Sequence, residues 1–429
     1  MRFDVSAPPS EIPALLLGLT ELAGLAAWRQ RERDFEKQIG ENPLIAEYLD
    51  IQFPIERAMS YAKRYHRQTG RLPSALMAKP DIGLLYGFAG MITRICTRLP
   101  STAKQRLQGR VRGALKDNIG LTPLAFEMRT IAHFMASGFE IELHDLCSGG
   151  AYDFLAAKPP GVELEVECKS VSADLGRKIH LLRQYQLGGR LWPLMRAGER
   201  PGIVRLVVAS VPDRLFPAHD FMEAVAATIG GSLEAGKSVA REGCCSVSYC
   251  ELPISDSPFD CPSPPNIAID DVIEYCNSAL GYKVGQVMMV FAPRQSATVV
   301  AVRSRKKDEF LQGVYRQLRE AAGQLSASRP GVICVQFRNV TSVELRDIAG
   351  EPAASGTPTA LQLMTNKFFD SAARSHVHTV AYVAPGRFVG RRSILGDQMH
   401  SEIKEDAVSY YFANKKHPLV DDLQWQAFK

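Results

Sequence analysis

The spacing of hydrophobic positions changes near Asn118, and this change divides the chain into two kinds of structure. Residues 1–117 carry apolar side chains at helical intervals, with few β-branched runs and with breaks at prolines, which predicts a helical N-terminal region. From Asn118 onward, short apolar or alternating runs are interleaved with helical stretches, as in α/β proteins. The pattern therefore predicts an α/β fold preceded by helices.

The elements that directly follow Asn118 are predicted in the order α-β-β-β-α-β. A helix with Thr122 as its N-cap ends at Gly138. The stretches FEIELHDL, AYDFLAA and VELEVECKSVS then follow with short turns between them, so three strands of an antiparallel meander are expected. A helix from Gly176 to Ala197 and the apolar strand IVRLVVAS complete the predicted core.

These patterns predict four segments along the chain. The segments are a helical N-terminal region at 1–117, an α/β core at 118–212, an α/β extension or second domain at 213–385, and a C-terminal tail at 386–429.

Composition describes an ordinary globular chain of 429 residues, with 46% hydrophobic and 23% charged residues. Nine cysteines, an odd number without framework spacing, favour a reducing compartment and a cytoplasmic location. The apolar run from Ile12 to Trp28 is interrupted by Glu21 and is short for a membrane span of roughly 20 residues, so a buried helix begun by Ser10 and Pro13 is expected rather than a membrane contact.

The net charge is only +5, but one stretch is strongly basic and contains no acid. Such a stretch fits a phosphate backbone, and it fits equally a solvated basic face that packs near acidic residues. The basic residues of this stretch are Arg94, Arg98, Lys104, Arg106, Arg110, Arg112 and Lys116.

The strand VELEVECKSVS places its charged side chains on one face. Glu167 and Lys169 point the same way because side chains alternate along a strand. Asp153 projects from the apolar strand AYDFLAA, and if the two strands are neighbours it converges with Glu167. Two carboxylates that share a partly buried position repel each other, and a hard divalent cation relieves that repulsion. The sequence therefore predicts a magnesium site.

The preceding helix supplies a third acid, Glu127, at the edge of the apolar stripe formed by Leu124, Met128, Ile131 and Met135. A carboxylate turned toward the sheet needs a partner, which is either the metal cluster or a base such as Arg129 or Lys169. Beside such a cluster, the ammonium of Lys169 suits attack of water on a phosphodiester. The alternative is that the charged face of the strand is solvated and contains only weak internal ion pairs.

Two other patterns have a weaker resemblance to metal sites. The histidine pair His376 and His378 supplies too few ligands for a metal, and the cysteines lack a C-x-x-C pair, so zinc is not expected at either place. The clustered cysteines are Cys244, Cys245, Cys250 and Cys261.

Asp153, thirteen further residues and then Glu167-Cys168-Lys169, after a helix with Glu127 and before a helix and a strand, resemble the PD-(D/E)XK nuclease superfamily. The resemblance covers about 118–211 and implies a restriction-endonuclease-like core. It implies that Asp153, Glu167 and the Cys168 carbonyl bind the metal, that Glu127 supports the site, and that Lys169 is catalytic. Members also use a polar residue of the following helix, for which Lys178 and Gln184 rank slightly ahead of His180 and Arg183.

The expected function is a nuclease that needs Mg²⁺ or Mn²⁺ and cuts DNA, in defence against phage or plasmids or in repair. One site per chain would favour a homodimer for cutting both strands of a duplex. Two alternatives are kept: a non-catalytic scaffold with this fold that binds nucleic acid or protein, and a nuclease that acts on RNA.

Overall fold

The structure is a computed structural model of the chain. It describes residues 9–77, 81–159, 161–197, 200–255, 257–260, 269–282, 286–291, 296–340, 345, 348–349, 358–384, 388–395, 398–405 and 408–417.

The described residues form helices and strands throughout the chain. The helices are α1 Ile12–Ala23, α2 Leu25–Glu41, α3 Ile45–Gln52, α4 Pro54–Thr69, α5 Ile82–Arg98, α6 Ser101–Lys116, α7 Thr122–Ala136, α8 His144–Cys147, α9 Leu181–Ala197, α10 His219–Ala235, α11 Ile269–Leu280, α12 Phe310–Gln324 and α13 Ala360–Phe369, and a short 3₁₀ helix spans Ala372–Arg374. The strands are β1 Glu140–Glu142, β2 Phe154–Lys158, β3 Val162–Ser172, β4 Ile203–Val211, β5 Val239–Arg241, β6 Cys245–Pro253, β7 Gln286–Phe291, β8 Ala297–Ser304, β9 Gly331–Arg338, β10 Val377–Ala384, β11 Phe388–Leu395, β12 Gln398–Glu405 and β13 Val408–Ala413.

The α/β class predicted from the sequence is confirmed, and the chain divides into two compact units that differ from the predicted segments. The first unit combines three stretches of the chain and the second combines two. The first unit comprises Met1–Glu36, Leu49–Leu175 and Leu311–Lys429, and the second comprises Lys37–Tyr48 and Gly176–Phe310. The second unit therefore interrupts the first between β3 and α12.

The N-terminal part is helical as predicted, with α1 to α6 in its described residues. The predicted single helix from Ile12 to Trp28 is two helices, because Gly24 adopts φ +83° and ends α1. Apolar periodicity continues across this glycine, so the sequence pattern does not reveal the bend. Among the described residues no single helix is long and apolar enough to cross a membrane; α1 and α2 meet those criteria only as a pair, and they are bent by 89°.

Helix α7 begins at Thr122, but Thr122 is not the N-cap. Leu121 occupies that position, and the Thr122 hydroxyl has no hydrogen-bond partner in the described part of the chain. The segment before α7 is held from a distance, since the Leu121 N–H donates to Oε1 of the fully buried Glu56, 2.8 Å away. The start of α7 is therefore held by a side chain on α4 instead of by the hydroxyl of Thr122.

Six strands of the described chain form a mixed sheet in the first unit, in the order β1-β2-β3-β9-β10-β13. The predicted meander is confirmed, because β1 pairs with β2 and β2 with β3, both antiparallel. The stretch FEIELHDL forms only the short β1 and then α8, rather than one strand. The predicted apolar stripe of α7 is buried against this sheet, in a core that includes Phe154, Leu164 and Val166.

The prediction that the helix and strand following β3 along the chain complete the core is wrong. Helix α9 and strand β4 belong to the second unit, where β4 pairs with β6 and β8. The strand that joins β3 is β9, in parallel register from Glu165 opposite Gly331 to Ser172 opposite Arg338. An apolar run predicts a buried strand but not its partner, so the insertion of 176–310 was invisible in the sequence.

The second unit contains a mixed sheet of its own. Within the described residues its strands follow the order β5-β6-β4-β8-β7, with β4 and β8 parallel and the other pairs antiparallel. Helices α9 and α10 cover one face around Leu187 and Ile229, while Val272 and Cys276 of α11 lie in a cluster on Val204 and Leu206.

The C-terminal part is not a simple tail. Strand β13 pairs antiparallel with β10 at the edge of the first unit's sheet, and β11 and β12 form an antiparallel pair. The predicted segment 213–385 is likewise divided, because β9 and β10 belong to the first unit rather than to an extension.

Candidate metal centre

The polar face of β3 is buried over part of its length. Glu163 is exposed and pairs with Arg329, whereas Glu165 and Glu167 are 0% and 3% exposed. The interpretation of this face as a solvated surface is therefore wrong at two of its positions. Buried carboxylates require donors or cations, and the two glutamates obtain different ones.

Asp153 lies immediately before β2, where the register that pairs Phe154 with Val166 places it beside Glu167. Its Oδ2 accepts a hydrogen bond from the Cys168 N–H at 2.7 Å, and Asp153 forms no ion pair among the described residues. Burial raises the pKa of Asp153 to about 7, and the adjacent Glu167 carboxylate adds to the rise. The predicted convergence of these two acids is present in the structure.

Glu127 projects from α7 into the same cluster, with a side chain that is only 4% exposed. Both of its carboxylate oxygens accept from Arg110, through Nη1 at 3.2 Å and through a short contact with Nη2. Burial raises the pKa of Glu127 to about 8; Arg110 opposes this rise, while Asp153 adds to it. The partner of Glu127 is thus a base other than Arg129 or Lys169, and this base comes from α6.

A fourth acid, Asp145, completes the cluster and was not among the predicted site residues. One ligand atom each of Glu127, Asp145 and Asp153 lies within 4.8 Å of the other two. Asp145 Oδ2 accepts from Arg110 Nη1 at 2.7 Å, whereas its buried Oδ1 has no hydrogen-bond partner in the described part of the chain. The only sequence signal for this acid was its place in FEIELHDL, which was interpreted as a strand and forms α8 instead.

Lys169 lies beside the acids, as predicted. Its Nζ is 2.7 Å from Glu167 Oε1, and it also donates to Gln324 Oε1 through a short hydrogen bond. Burial raises the pKa of Glu167, the Lys169 ammonium opposes that effect, and Glu127 adds to it. Gln324 ends α12, about 150 residues along the chain from Lys169, and sequence reasoning missed it because no local pattern joins the two.

Cys168 turns its thiol toward the core, where burial raises the thiol pKa well above its usual value and Asp153 adds to the rise. This environment does not favour a thiolate nucleophile. The backbone N–H of Cys168 binds Asp153, so this residue contacts the cluster through its main chain. The metal-binding role predicted for its carbonyl stays a prediction.

Lys178 and Gln184 belong to the second unit, and this contradicts the basis on which they were chosen. Lys178 Nζ lies 3.9 Å from Glu309 Oε2, and its backbone N–H donates to Asp308. Gln184 is buried in α9. In the first unit the helix that leads from β3 toward its parallel neighbour β9 is α12, and its last residue, Gln324, accepts a hydrogen bond from Lys169.

The basic stretch on α5 and α6 has several internal partners. Arg110 is an ion-pair partner of the acid cluster, and its predicted role as a phosphate contact stays a prediction. Further contacts in this stretch are Arg94 with Glu11 at 2.6 Å, Arg98 with the Arg94 carbonyl at 3.0 Å, Arg106 with the Leu146 carbonyl at 2.9 Å, and Arg112 with the Ala23 carbonyl at 3.2 Å. Lys104 is half-buried and Lys116 is exposed. Part of the stretch therefore serves the fold.

The cysteine group of the second unit contains no metal-sized cluster among the described residues. Cys244 and Cys245 are buried with their sulfurs 3.8 Å apart, and Cys250 is half-buried. Cys261 lies outside the described residues.

The acid cluster has the donor chemistry of a hard divalent cation. Four carboxylates (Glu127, Asp145, Asp153 and Glu167) face two bases, Arg110 and Lys169, so full ionisation leaves two uncompensated negative charges. The raised pKa values of Asp153 and Glu127 reflect their burial first and the neighbouring negative charges second. Oxygen ligands and an excess of two negative charges fit Mg²⁺ or Mn²⁺; ligand atoms of Glu127, Asp145 and Asp153 lie within 4.8 Å of one another, and Glu167 is adjacent to Asp153.

No protein-family model matches this chain, and comparisons with curated proteins and with solved structures find no match.

Proposed function

We propose that the protein is a metal-dependent nuclease that hydrolyses phosphodiester bonds. The observation that carries this proposal is the convergence of Glu127, Asp153 and Glu167 in a buried cluster with Lys169 in contact with Glu167. Buried acids that repel one another destabilise a fold, and such arrangements are typical of sites that bind a cation or catalyse a reaction. A single lysine beside them adds a group that can act on phosphate.

The connectivity of the first unit supports the same proposal. Helix α7, strands β1 to β3, helix α12 and strand β9 occur in the order α-β-β-β-α-β once the second unit and the four-residue helix α8 between β1 and β2 are set aside. This order is similar to the core of the PD-(D/E)XK superfamily, in which the acids and the lysine occupy the positions of Asp153, Glu167 and Lys169. We infer that the predicted core is present but is completed by α12 and β9.

The residues of the cluster divide the chemistry among them. A bound Mg²⁺ or Mn²⁺ would supply a Lewis acid for the scissile phosphate and acidify a nucleophilic water. Asp153 and Glu167 would hold the ion. The Lys169 ammonium would orient the water and stabilise the charge that develops on the phosphate, while Gln324 fixes the position of that ammonium.

DNA is the proposed substrate, in defence or repair, and the polyanion would contact exposed basic side chains of the helical region. Lys104 and Lys116 remain suitable for this role, since neither forms a salt bridge with an acid in the described part of the chain. Arg110 is removed from the proposed phosphate contacts because it binds Glu127 and Asp145. A cytoplasmic location and a homodimer stay proposals.

One observation favours the alternative of a non-catalytic scaffold. Arg110 pairs with both Glu127 and Asp145, as it would in a purely structural ion-pair network. The scaffold leaves Asp153 and Glu167 unexplained, since these two buried acids lie beside each other and, among the described residues, Lys169 is the only base that forms a salt bridge with either of them. The nuclease proposal accounts for both pairs of acids.

The test is cleavage of plasmid, single-stranded DNA and total RNA in the presence of Mn²⁺, with Lys169→Ala as the diagnostic variant. We expect loss of the Lys169 ammonium to lower the rate on the order of 10²–10³-fold while Mn²⁺ binding is retained. Lys158→Ala is the matched control, because Lys158 lies on β2 and donates to the Ser137 carbonyl at 2.9 Å.

Three outcomes separate the proposals. Cleavage by wild type and by Lys158→Ala but not by Lys169→Ala supports the nuclease, and the preferred nucleic acid decides between DNA and RNA. A Lys169→Ala variant that cuts at the wild-type rate removes the lysine from the mechanism. Equal and negligible heats when Mn²⁺ is titrated into wild type and Glu167→Ala favour the scaffold.

A further inference from the structure

The contact between Arg110 and two of the four acids is not used by the proposed chemistry, and it limits what the cluster can bind. Arg110 reaches from α6, and its side chain is 34% exposed. Its guanidinium covers both oxygens of Glu127, and Nη1 also contacts Asp145 Oδ2 at 2.7 Å. A planar fork that binds two carboxylates in this way holds them at a fixed separation.

The other side of the cluster has no such fork. Asp153 accepts a hydrogen bond from the Cys168 N–H, and Glu167 contacts the Lys169 ammonium and the backbone of Asp153. Asp145 Oδ1 is buried and has no hydrogen-bond partner among the described residues, and one ligand atom of Asp145 lies within 4.8 Å of one of Asp153. Both oxygens of Glu127 are therefore occupied by Arg110, whereas Asp145 Oδ1 has no partner and Asp153 forms no salt bridge within the described residues.

We propose that Arg110 takes the place of a second divalent cation, so that the cluster binds one divalent ion instead of two. This inference rests on the proposed function, and it concerns the number of ions at the same site. One divalent ion neutralises the two negative charges that four carboxylates, Arg110 and Lys169 leave uncompensated. Because one ion makes the cluster neutral, a second ion would either have to displace Arg110 or give the cluster a net positive charge. A net charge is electrostatically unfavourable in a buried site.

The experiment is a titration of the full-length protein with Mn²⁺, in which free ion is followed by electron paramagnetic resonance. Wild type is expected to bind one Mn²⁺ per chain. Arg110→Met keeps an unbranched side chain of similar reach but frees the oxygens of Glu127 and Asp145, so two Mn²⁺ per chain are expected. Arg110→Lys keeps the charge and is expected to bind one.

Arg112→Met is the matched control, because Arg112 lies on the same helix and donates to the Ala23 carbonyl rather than to an acid. It should bind one Mn²⁺, like wild type. If Arg110→Met does not fold, the wild-type spectrum at saturating Mn²⁺ is the second measurement, and it should show no dipolar coupling between two neighbouring ions.

The outcomes distinguish this inference from the function on which it rests. No Mn²⁺ bound to wild type overturns both. Two coupled ions in wild type, or one ion in both wild type and folded Arg110→Met, overturn the role of Arg110 and leave the nuclease proposal standing. One ion in wild type and two in Arg110→Met support the inference.

Discussion

Glu165 and Glu167 lie two residues apart on the same face of β3, and both are buried, yet their surroundings are opposite in kind. Glu165 accepts from the backbone N–H of Ser326 at 2.7 Å and from its hydroxyl through a short contact, and Arg329 lies 3.7 Å away. Glu167 has Lys169 as its cationic partner, and it faces Asp153 and Glu127. One buried carboxylate is surrounded by donors, and the other is surrounded by acids.

The difference separates a structural use of a buried acid from a functional one. Donors that converge on Glu165 fix the connection between α12 and β9, where Ala327 adopts φ +61°. Nothing in that arrangement requires a ligand. At Glu167 the fold tolerates repulsion between carboxylates although the same strand shows how such a residue can be satisfied. Local conflict of this kind is expected where a protein binds or reacts.

The largest expected effect compares the stability of Glu165→Ala with that of Glu167→Ala. Removal of Glu165 leaves the donors of Ser326 without an acceptor and should lower the free energy of unfolding by about 3 kcal/mol. Removal of Glu167 also removes repulsion, and Lys169 keeps its contact with Gln324, so the change should stay below about 1 kcal/mol. Urea denaturation without divalent ions measures both values. Equal losses would erase the proposed distinction.

The acid cluster should make stability depend on pH, in addition to the fully buried Glu56 on α4, whose pKa burial raises to about 7. The pKa of Asp153 rises from 3.8 to about 7 and that of Glu127 from 4.5 to about 8, because burial disfavours their charged forms. Between pH 5 and 8 the folded protein therefore keeps protons that the unfolded chain has lost, so stability falls as pH rises across this window. In EDTA we expect ionisation of Asp153 to lower the free energy of unfolding across this window by at least about 1.4 kcal/mol, the equivalent of one pKa unit.

Denaturation at several pH values, in EDTA and in Mn²⁺, measures this effect. Asp153→Asn should reduce the slope of the profile because the amide does not titrate, and Mn²⁺ should reduce it in wild type by stabilising the ionised carboxylates. An unchanged slope in Asp153→Asn would contradict the assignment of the raised pKa.

The acids of the cluster could be predicted largely because they lie close together in sequence. Alternation along β3 and the short connection from β2 place Asp153 beside Glu167 by local geometry alone, and the edge position of Glu127 on α7 is a periodicity signal. Asp145 was missed because four helical residues, His144–Cys147, follow a three-residue strand in a stretch whose residues suit either structure.

The parts that could not be predicted depend on contacts between distant residues. The partner strand of β3 is β9, which begins after the 176–310 insertion, and an apolar run contains no information about its neighbour. The local sequence around Arg110 does not distinguish a residue that binds phosphate from one that pairs with the acids of α7 and α8. Local pattern predicts which residues are buried or charged, whereas the fold decides which of them meet.

The smallest expected effect concerns the C-terminal end of α12 and the residues after it, which contact the polar face of β3 at two places. Gln324 accepts from Lys169, and Ser326, two residues later, donates to Glu165. Gln324→Leu should lower the cleavage rate about three- to tenfold, on the order of 1 kcal/mol, because the ammonium loses the acceptor that fixes its position. Its free energy of unfolding should stay near the wild-type value, since Lys169 keeps Glu167.

Ser326→Ala is the matched variant and should show the reverse, a loss of stability with a smaller change in rate. The physical reason is that the Ser326 hydroxyl acts on a fully buried carboxylate, whereas Gln324 contacts a side chain that is 19% exposed and can exchange its partner for water. Rate and urea denaturation measured on both variants test the division. If both substitutions lower rate and stability in the same proportion, Gln324 and Ser326 both simply support β3. The proposed distinction between a structural Glu165 and a functional Glu167 would then be wrong.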